Sequence, residues 1–590
     1  MNRWFGLCVV ACVGTYVALC SQANAYTLWT ENAENGLANV IDNTDASYDL
    51  IQSEVVGEGD SAFHLAHPVG QDNWFTINQS LSIQSDTKLF FLSRLRSATP
   101  TQIARVQLST DNGGSWPANI FNQAGSGSGT GGEGAFTLKE VDLGSYANQN
   151  LRLRFYYDRD GGSYFPQTSS AVGWFVDNIQ IGSEFQKLQW SIGNPSPHAQ
   201  LYLEYINRAR ADALAEAARL ANEPDSNVQN AYNFFGIQGQ NIVNQFNWYV
   251  DNGLIDRFAQ PLSFQSQLLM AAELHTQDLF QNQFQGHTSS NNPPAPFQPG
   301  YTFSQRLDAV GYDGGAGENV YSSADSVAHG HAGFDVDWGN VNSPGSTGYN
   351  PAFVGQGMQN PAGHRRNLHN GGFKEIGIGV INGPDGAFGP QYVTQDLGNP
   401  GDVRYITGVV YQDVNSNSFY DIDEGRSGVR IDVVGSPFYA LSSTSGGYSV
   451  PVPQDGMYAV TFSGGGFATH VANATIVNGE NEKVDYLAIL NLIGDYNHNN
   501  LVDAADYTVW RNSLGQSGAG LAADGNGDTH IDNVDYNLWK THFGEALDSG
   551  SAGNDFLAVP EPDSRLLVIW GLIFLSVGYD FCRVQRVRHL

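Results

Sequence analysis

Short runs of alternating apolar and polar residues fill the chain from residue 26 to residue 185. A period of two places one set of side chains in a core and the other in solvent, as in a half-buried β-strand. Turn-forming stretches separate these runs, and the pattern predicts an N-terminal β-sandwich over 26–185. The clearest runs are KLFFLSRL (88–95), ARVQLST (104–110), LRLRFYY (151–157) and GWFVDNIQI (173–181).

The pattern changes further along the chain. Residues 186–195 have the composition of a short linker, and apolar positions at a spacing of four then predict a helix over 201–220. Strand-like runs and glycine turns return over 404–488 and predict a second, smaller β-sandwich. Two similar segments follow in 489–546, and 547–558 has the composition of a flexible acidic linker. The chain of 590 residues is therefore predicted to be multidomain.

Both ends of the chain have the pattern of targeting segments. Residues 1–25 combine Arg3, an apolar stretch and an ANA motif, which is typical of a cleaved signal peptide. Residues 559–590 begin with Val-Pro-Glu-Pro, continue with an uncharged apolar stretch over 566–579 and end in an arginine-rich tail. This resembles the PEP-CTERM sorting signal, which implies a secreted, surface-anchored protein with a C-terminal apolar transmembrane helix that an exosortase cleaves. The alternative is a buried helix, since the apolar stretch is short for a membrane span.

Charge and cysteine content narrow the possible partners. A net charge of -31 excludes nucleic acid as the expected partner, because binding phosphates requires clustered Lys and Arg. The acidic balance indicates either solubility or cation binding. The cysteines, Cys8, Cys12, Cys20 and Cys582, all lie in the predicted targeting segments. Disulfides therefore do not stabilise the exported part, and bound metal is the expected substitute.

The two similar segments near the end of the chain have the ligand spacing of calcium loops. They are DYNHNNLVDAAD (495–506) and DGNGDTHIDNVD (524–535), and a helical pattern follows each one. Calcium takes six to eight oxygen ligands in a tightly wound loop. Oxygen-bearing side chains occupy loop positions 1, 3, 5, 9 and 12 in both: Asp495, Asn497, Asn499, Asp503 and Asp506, then Asp524, Asn526, Asp528, Asp532 and Asp535.

The loop–helix repeat over 489–546 resembles a type I dockerin. The resemblance implies calcium as a cofactor and a cohesin-domain protein as the partner. Position 12 is Asp rather than the Glu of an EF-hand, and Asn500 and Thr529 stand where Gly is usual. These two departures are expected to weaken calcium affinity without removing the ligands.

A third, looser calcium loop is predicted at DVNSNSFYDIDE (413–424), between two strand-like runs. The same five loop positions hold Asp413, Asn415, Asn417, Asp421 and Glu424. The surrounding residues, 404–488, resemble the SD-repeat B or Cna-B-like β-sandwich of bacterial surface proteins, in which calcium stiffens a stalk. A simple acidic hairpin loop is the alternative.

The N-terminal sandwich resembles a MAM-like or carbohydrate-binding jelly roll, through ENAENG (31–36) at its start and WFVDNIQI at its end. The resemblance implies a possible carbohydrate or matrix ligand and a calcium ion between the first and last strands. Glu31, Glu34 and Asp177 are the candidate ligands. The alternative is that these acids are solvated on the surface.

A series of motifs follows in the middle of the chain. They are YLEYINRAR (202–210), FQSQLLMAAELHTQDL (264–279), FQGHTS (284–289), FSQRLDAVGYDGGAGENV (303–320), AGHRRNL (362–368), FKEIGIGV (373–380) and YVTQDLG (392–398). In order and spacing they resemble the bacterial branch of the CAP superfamily, the sperm-coating-protein and pathogenesis-related group. The resemblance covers residues 196–398 and implies an α-β-α sandwich.

The resemblance implies a cavity with two His and two acidic residues that can hold zinc or another divalent ion. The matching positions here are His287, Glu318 and His364, which are the candidate catalytic residues and possible zinc ligands. The second acid is absent from its usual place, and an insertion over 329–361 offers Asp335 or, preferably, Asp337 instead. Structural roles are the alternative for Glu318, as a carboxylate that ties a loop, and for His364, as a helix cap.

Two functions follow from these expectations. The first is a surface protein that uses the CAP cavity and the sandwich to bind a ligand or matrix, and the dockerin-like segment for assembly. The second is a hydrolase, either a metal-assisted peptidase or part of a polysaccharide-degrading complex. Against a glycosidase, no motif places a pair of acidic residues. Because CAP folds host several activities, the fold alone does not choose between them.

Overall fold

The computed structural model divides into two compact units, one up to residue 491 and one from residue 492. The predicted signal peptide before residue 25, the linker 547–558 and the sorting segment 559–590 lie outside the described residues. Within the part of the chain that is described, no helix is long and apolar enough to cross a membrane. The structure describes residues 25–546 except 47, 128–131, 170–171, 313, 385–387, 489–491, 498, 500, 519–520, 527 and 529.

Two antiparallel sheets form the first domain, which confirms the predicted β-sandwich. The strands are β1 Thr27–Glu31, β2 Val40–Asp42, β3 Ile51–Gln52, β4 Ala62–Leu65, β5 Asn73–Ile77, β6 Leu81–Ser82, β7 Lys88–Arg96, β8 Gln102–Ser109, β9 Ala118–Ala124, β10 Thr137–Asp142, β11 Asn150–Arg159 and β12 Gly173–Gly182. One sheet has the order β10-β7-β12-β4-β3 with β1 on β12, and the other β2-β5-β11-β8-β9 with β6 on β11. Phe75, Phe155 and Trp174 lie fully buried between them.

After β13 (Leu188–Trp190), the chain enters the CAP-like domain. The predicted helix over 201–220 begins earlier, at Pro197, and is two helices, because Asp212 leaves the helical region and caps the second one. The helices are α1 Pro197–Ala211, α2 Ala213–Leu220, α3 Ser226–Phe235, α4 Gly239–Asp251, α5 Ser266–Asn282, α6 Phe303–Ala309, α7 Val327–Ala332 and α8 Gly363–Leu368. A π-helical turn, Gly333–Asp337, directly follows α7, and a 3₁₀ turn, Pro351–Phe353, precedes α8.

A four-stranded sheet lies between the helices, in the order β14-β16-β17-β15. Its strands are β14 Ser263–Phe264, β15 Gly315–Ala324, β16 Glu375–Asn382 and β17 Gln391–Asn399. Alternate residues of β16 face opposite layers. A Cβ at Gly377 or Gly379 would overlap the backbone of α5, so glycine is needed for this close approach. Ile376 and Ile378 instead pack in one core cluster with Tyr202 of α1. The helices therefore cover both faces of the sheet.

The smaller sandwich closes the first unit, and it includes a strand from the predicted linker 186–195. Strand β13 pairs in parallel with β20, and Trp190 packs edge-on against Phe438 at 5.2 Å. The other strands are β18 Arg404–Tyr411, β19 Arg430–Val433, β20 Phe438–Leu441, β21 Gly447–Val452, β22 Gly456–Ser463, β23 His470–Ile476, β24 Glu482–Lys483 and β25 Tyr486–Leu487. One sheet has the order β13-β20-β19-β22-β23, and the other β21-β18-β24 with β25 on β18. The linker prediction was therefore wrong for residues 188–190.

Buried polar contacts join this sandwich to the CAP-like domain. Asn481 donates from Nδ2 to the carbonyls of Pro261, at 2.9 Å, and Lys374, at 2.8 Å. The Glu375 carboxylate accepts from the hydroxyls of Tyr405, at 2.5 Å, and Tyr312, at 2.9 Å. Burial raises the pKa of Glu375 to about 7. Because these groups are withdrawn from water on both sides, the two domains meet across an interface that resembles a core.

Two helices of matching construction form the second unit, α9 Ala504–Ser513 and α10 Asn533–His542. Each helix places a tryptophan against the opposite loop. Trp510 donates from Nε1 to the carbonyl of Asp532 at 2.8 Å, and Trp539 donates to the carbonyl of Asp503 at 2.8 Å. The repeated sequence therefore folds into two loop–helix halves, and the tryptophan of each half binds the loop of the other.

Candidate functional site

A cavity of about 560 Å³ opens in the CAP-like domain between the loop after α5, strand β15 and helix α8. Three of the predicted site residues line this cavity: His287 in the loop, Glu318 on β15 and His364 in the first turn of α8. Most of the other lining side chains are polar. The remaining lining residues are Gly253, Leu254, Ile255, Asp256, Gly363, Arg366, Asn367 and Asn370.

The first half of the site is a histidine held by a buried ion pair. Nδ1 of His287 lies 2.8 Å from Oε1 of Glu318, whose other oxygen accepts from Arg306 of α6. Arg306 is fully buried and also donates to the carbonyl of His287 at 2.9 Å. Burial alone would raise the pKa of Glu318, but the hydrogen bond from His287 and the charge of Arg306 lower it below its usual value. Glu318 is therefore an ionised carboxylate that orients His287.

The second half repeats this arrangement with different elements. Nδ1 of His364 lies 2.8 Å from Oδ1 of Asp337, and the backbone N–H of His364 donates to Oδ2 at 3.1 Å. Asp337 ends the π-helical turn with a φ of 60°, a strained conformation for a non-glycine residue. Burial lowers the pKa of His364, but the charge of Asp337 outweighs it, so the pKa is raised above 6.5. Asp335 points elsewhere, to Nε2 of His369 at 2.8 Å.

Both cavity histidines use Nδ1 to contact their carboxylate partner. A carboxylate that accepts from Nδ1 fixes the ring so that Nε2 is left for a metal or ligand. Among the described residues, the hydrogen bonds of the His287 and His364 rings are made through Nδ1 and none through Nε2. Both oxygens of Glu318 are engaged, by His287 and by Arg306, and its role as a zinc ligand stays a prediction. The ligand atoms of His287, Glu318 and His364 do not gather within 4.8 Å among the described residues.

Sequence reasoning missed two residues next to Glu318. Arg306 lies inside the quoted motif FSQRLDAVGYDGGAGENV, but nothing in the motif marks it as the partner of Glu318. Asp396 pairs directly across the sheet from Glu318, between β17 and β15. It is fully buried, and burial, reinforced by the charge of Glu318, raises its pKa well above the usual value. An acid inside the apolar run YVTQDLG was the signal that could have identified it.

The other histidine of this motif set is part of the core. His275 is fully buried on α5, and its Nε2 lies 2.9 Å from the carbonyl of Gly286. Burial lowers its pKa. Its ring nitrogen stays 3.9 Å from Oε2 of Glu318, beyond hydrogen-bonding distance.

The predicted calcium ligands of the loop 413–424 form hydrogen bonds within the loop itself. Asp413 accepts from the backbone N–H groups of Asn417, at 3.0 Å, and Ser418, at 2.8 Å. Asp421 accepts from the amides of Asn415 and Asn417, both at 2.7 Å. Glu424 accepts from the backbone of Val414 and Asp421, at 2.8 and 2.9 Å. The loop is thus wound around its own acids, and calcium there stays a prediction.

The two loops of the second unit are wound in the same way. In the first, Asp506 accepts from the backbone of Asn497, at 2.9 Å, and Asp503, at 2.8 Å. In the second, Asp535 accepts from Gly525, at 2.9 Å, and Asp532, at 2.8 Å. Both carboxylates at position 12 are fully buried. The remaining predicted ligands contact their own loop backbone: Asp495 and Asn497 accept from Asn499, and Asp524 and Asn526 accept from Asp528.

The acids predicted to bind calcium in the first sandwich each bind backbone of a neighbouring loop. Glu31 accepts from the N–H of Ala33 at 3.0 Å, and Glu34 from that of Ser61 at 2.8 Å. Asp177 accepts from Gly57 at 2.9 Å, and burial raises its pKa to about 7. Among the described residues, the ligand atoms of these three acids do not gather within 4.8 Å.

Comparison with known proteins supports the CAP superfamily for part of the chain. Residues 256–397 match the model of "CAP: Cysteine-rich secretory protein family". The match covers the cavity lining except Gly253, Leu254 and Ile255, and it leaves α1–α4 outside it. No curated protein matches the chain in sequence.

Solved structures resemble parts of the chain only weakly. A chain of a type II cohesin–X-dockerin complex from Acetivibrio cellulolyticus is 19% identical, over 24% of this chain and 97% of that one, with a TM-score of 0.14. The K3 adhesin domain of Lys-gingipain from Porphyromonas gingivalis is 16% identical, over 26% and 99%, with a TM-score of 0.20. A TmCBM61 structure with β-1,4-galactotriose is 12% identical, over 25% and 92%, with a TM-score of 0.17. These TM-scores are too low to indicate a shared fold.

Replacing Asp337 with asparagine in the metal-free protein is expected to lower the pKa of His364, because the amide lacks the charge that stabilises the imidazolium. A raised folded-state pKa stabilises the fold below about pH 6.5, and this stabilisation is lost as the pH rises through the folded pKa. The stability difference between wild type and Asp337→Asn should therefore be largest in acid and shrink towards alkaline pH. NMR titration of the His364 ring measures the pKa.

The matched control is Asp325→Asn, which removes the acid beside His329 and leaves Asp337 intact. An unchanged His364 pKa in Asp337→Asn would show that the pair is not electrostatically coupled.

Proposed function

We propose that this chain is an exported, surface-associated binding protein whose CAP cavity holds a divalent transition-metal ion of the zinc class and, with it, a polar ligand. One observation supports the metal: two histidines at a single cavity, each oriented through Nδ1 by a buried carboxylate. Zinc prefers imidazole ligands, and metal-binding histidines commonly donate their second N–H to a carboxylate. His287 and His364 are the residues that would hold the ion.

The metal would supply Lewis acidity towards an oxygen of the bound ligand. The chain's own residues would orient this site. Arg306 keeps Glu318 ionised, and Glu318 and Asp337 set the direction of the two rings. Since both carboxylates are already engaged by the histidines, the observations support binding more than proton transfer.

The lining of the cavity favours a polar ligand. Asp256, Arg366, Asn367 and Asn370 surround the histidines and offer both hydrogen-bond donors and acceptors. A cavity of about 560 Å³ is large enough for a small molecule or for a short segment of a polymer. Sterol or lipid binding requires mainly apolar walls, which this lining does not provide.

The second unit would provide assembly. Its duplicated loops have oxygen ligands at matching positions, and each loop is followed by a helix. This supports a calcium-dependent dockerin-like domain that binds a cohesin-domain protein. The loop 413–424 would bind a further calcium ion and stiffen the smaller sandwich. The N-terminal leader and the C-terminal sorting segment predicted from the sequence support export and surface attachment.

Removing the two histidines is expected to abolish zinc binding by the cavity. The variant His287→Ala/His364→Ala should lower the zinc affinity of the cavity by more than about 100-fold, because loss of a supporting partner alone typically costs 10- to 100-fold. Isothermal titration of the full exported chain with zinc measures this affinity.

His470→Ala is the matched control, because His470 is an exposed histidine of the smaller sandwich. Equal zinc affinity in the double variant and in wild type would contradict the cavity site.

Calcium removal is expected to destabilise the second unit. Calcium at about 100 times its dissociation constant stabilises a folded site by about 2.7 kcal/mol, and the buried Asp506 and Asp535 repel nearby acids once the ion is lost. A calcium-selective chelator should therefore lower the thermal midpoint and the helical circular dichroism that α9 and α10 contribute.

The variant Asp506→Asn/Asp535→Asn should no longer respond to calcium. Glu545→Gln, an exposed acid of the same unit outside both loops, should respond as wild type does. A chelator-insensitive second unit would rule out the dockerin-like interpretation.

A further inference from the structure

A second group of potential metal ligands lies in the CAP-like domain, outside the residues that line the cavity. Glu216 lies on α2, His331 on α7 and Asp335 on the π-helical turn. One ligand atom from each of these residues lies within 4.8 Å of the other two. Their exposed fractions are 2%, 1% and 0%, so the group is almost completely removed from solvent.

Two of the three side chains, His331 and Asp335, each have a polar atom without a hydrogen bond. Nε2 of His331 lies 2.8 Å from Oε1 of Glu216, and Oδ1 of Asp335 accepts from Nε2 of His369 at 2.8 Å. Oδ2 of Asp335 and Nδ1 of His331 are buried and have no hydrogen-bond partner. A buried carboxylate oxygen without a donor is rare in folded proteins and indicates that a cation or an ordered water belongs beside it.

We propose that Glu216, His331 and Asp335 bind a divalent transition-metal ion of the zinc class, in a buried centre separate from the cavity. The donor set decides the class of metal. One imidazole nitrogen with two carboxylate oxygens suits zinc, whereas calcium takes six to eight oxygens and magnesium retains several waters. The imidazole binds the ion in its neutral form, so the ion takes the place of the proton between His331 and Glu216.

Outer contacts hold two of the three ligands in place. Arg208 and Arg219 donate to Glu216, and His369 donates to Asp335. Hydrogen bonds of this kind orient ligating carboxylates.

The position of Asp335 gives this centre a structural consequence. Asp335 and Asp337 share the turn Gly333–Asp337, and Asp337 supports His364 in the cavity. A metal bound at Asp335 would fix the strained turn that places Asp337 beside His364. This consequence rests on the proposed function of the cavity, whereas the buried centre itself does not.

The test uses the full exported chain with the cavity histidines removed, His287→Ala/His364→Ala, so that the buried group is left intact. After loading with zinc and exhaustive dialysis, elemental analysis should find about one zinc per chain in this variant. Adding Asp335→Asn should lower the retained zinc at least tenfold, and adding Glu223→Gln should not. Glu223 pairs with the same Arg219 but contributes no ligand.

Two results would overturn the buried centre: no zinc retained by the variant without cavity histidines, or unchanged zinc after Asp335→Asn. The first does not depend on whether the Asp335 variant folds. The two sites can fail separately. If all zinc is lost when the cavity histidines are removed, the cavity site is supported and the buried centre is refuted. If zinc is lost only when Asp335 is replaced, the buried centre is supported and the cavity site is refuted.

Discussion

The buried ion pair between Arg306 and Glu318 is the interaction on which the cavity depends. Both side chains are almost completely removed from water, so neither charge is tolerable without the other. Arg306 also holds the backbone of His287, and Glu318 holds its ring. One pair thus fixes the ionisation of the carboxylate, the path of the loop and the orientation of the histidine. Removing one partner of such a pair typically costs about 3–5 kcal/mol.

Buried polar groups that need a partner also lie where the CAP-like domain meets the smaller sandwich. Glu375 lies between a tyrosine of the CAP-like domain and one of the smaller sandwich, and Asn481 satisfies two carbonyls of the CAP-like domain. Strand β13 follows the first sandwich in the chain and pairs with β20 at the edge of the smaller sandwich. Buried polar groups and shared strands therefore set the position of the CAP-like domain against its neighbour, and the cavity is built on a fixed support.

Periodicity in the sequence was sufficient to predict the β-sandwiches and the helix near residue 201, because burial of alternate side chains depends on nearby residues. The resemblance to the CAP superfamily implied that His287, Glu318 and His364 share one cavity, and all three line it. Other features depend on long-range geometry. Arg306 meets Glu318 only after the sheet has formed, and Leu188–Trp190 becomes a strand only because β20 offers an edge. Asp335 and Asp337 lie two residues apart, and the π-helical turn directs them to different histidines.

The most direct test of the account is anomalous X-ray diffraction at the zinc edge, from crystals of the exported chain grown with zinc. The account predicts a peak in the cavity at about 2.0–2.1 Å from Nε2 of both His287 and His364, with Glu318 and Asp337 still bonded to Nδ1. A cavity without a peak, or a peak bound by the carboxylate of Glu318 with His287 turned away, would contradict it.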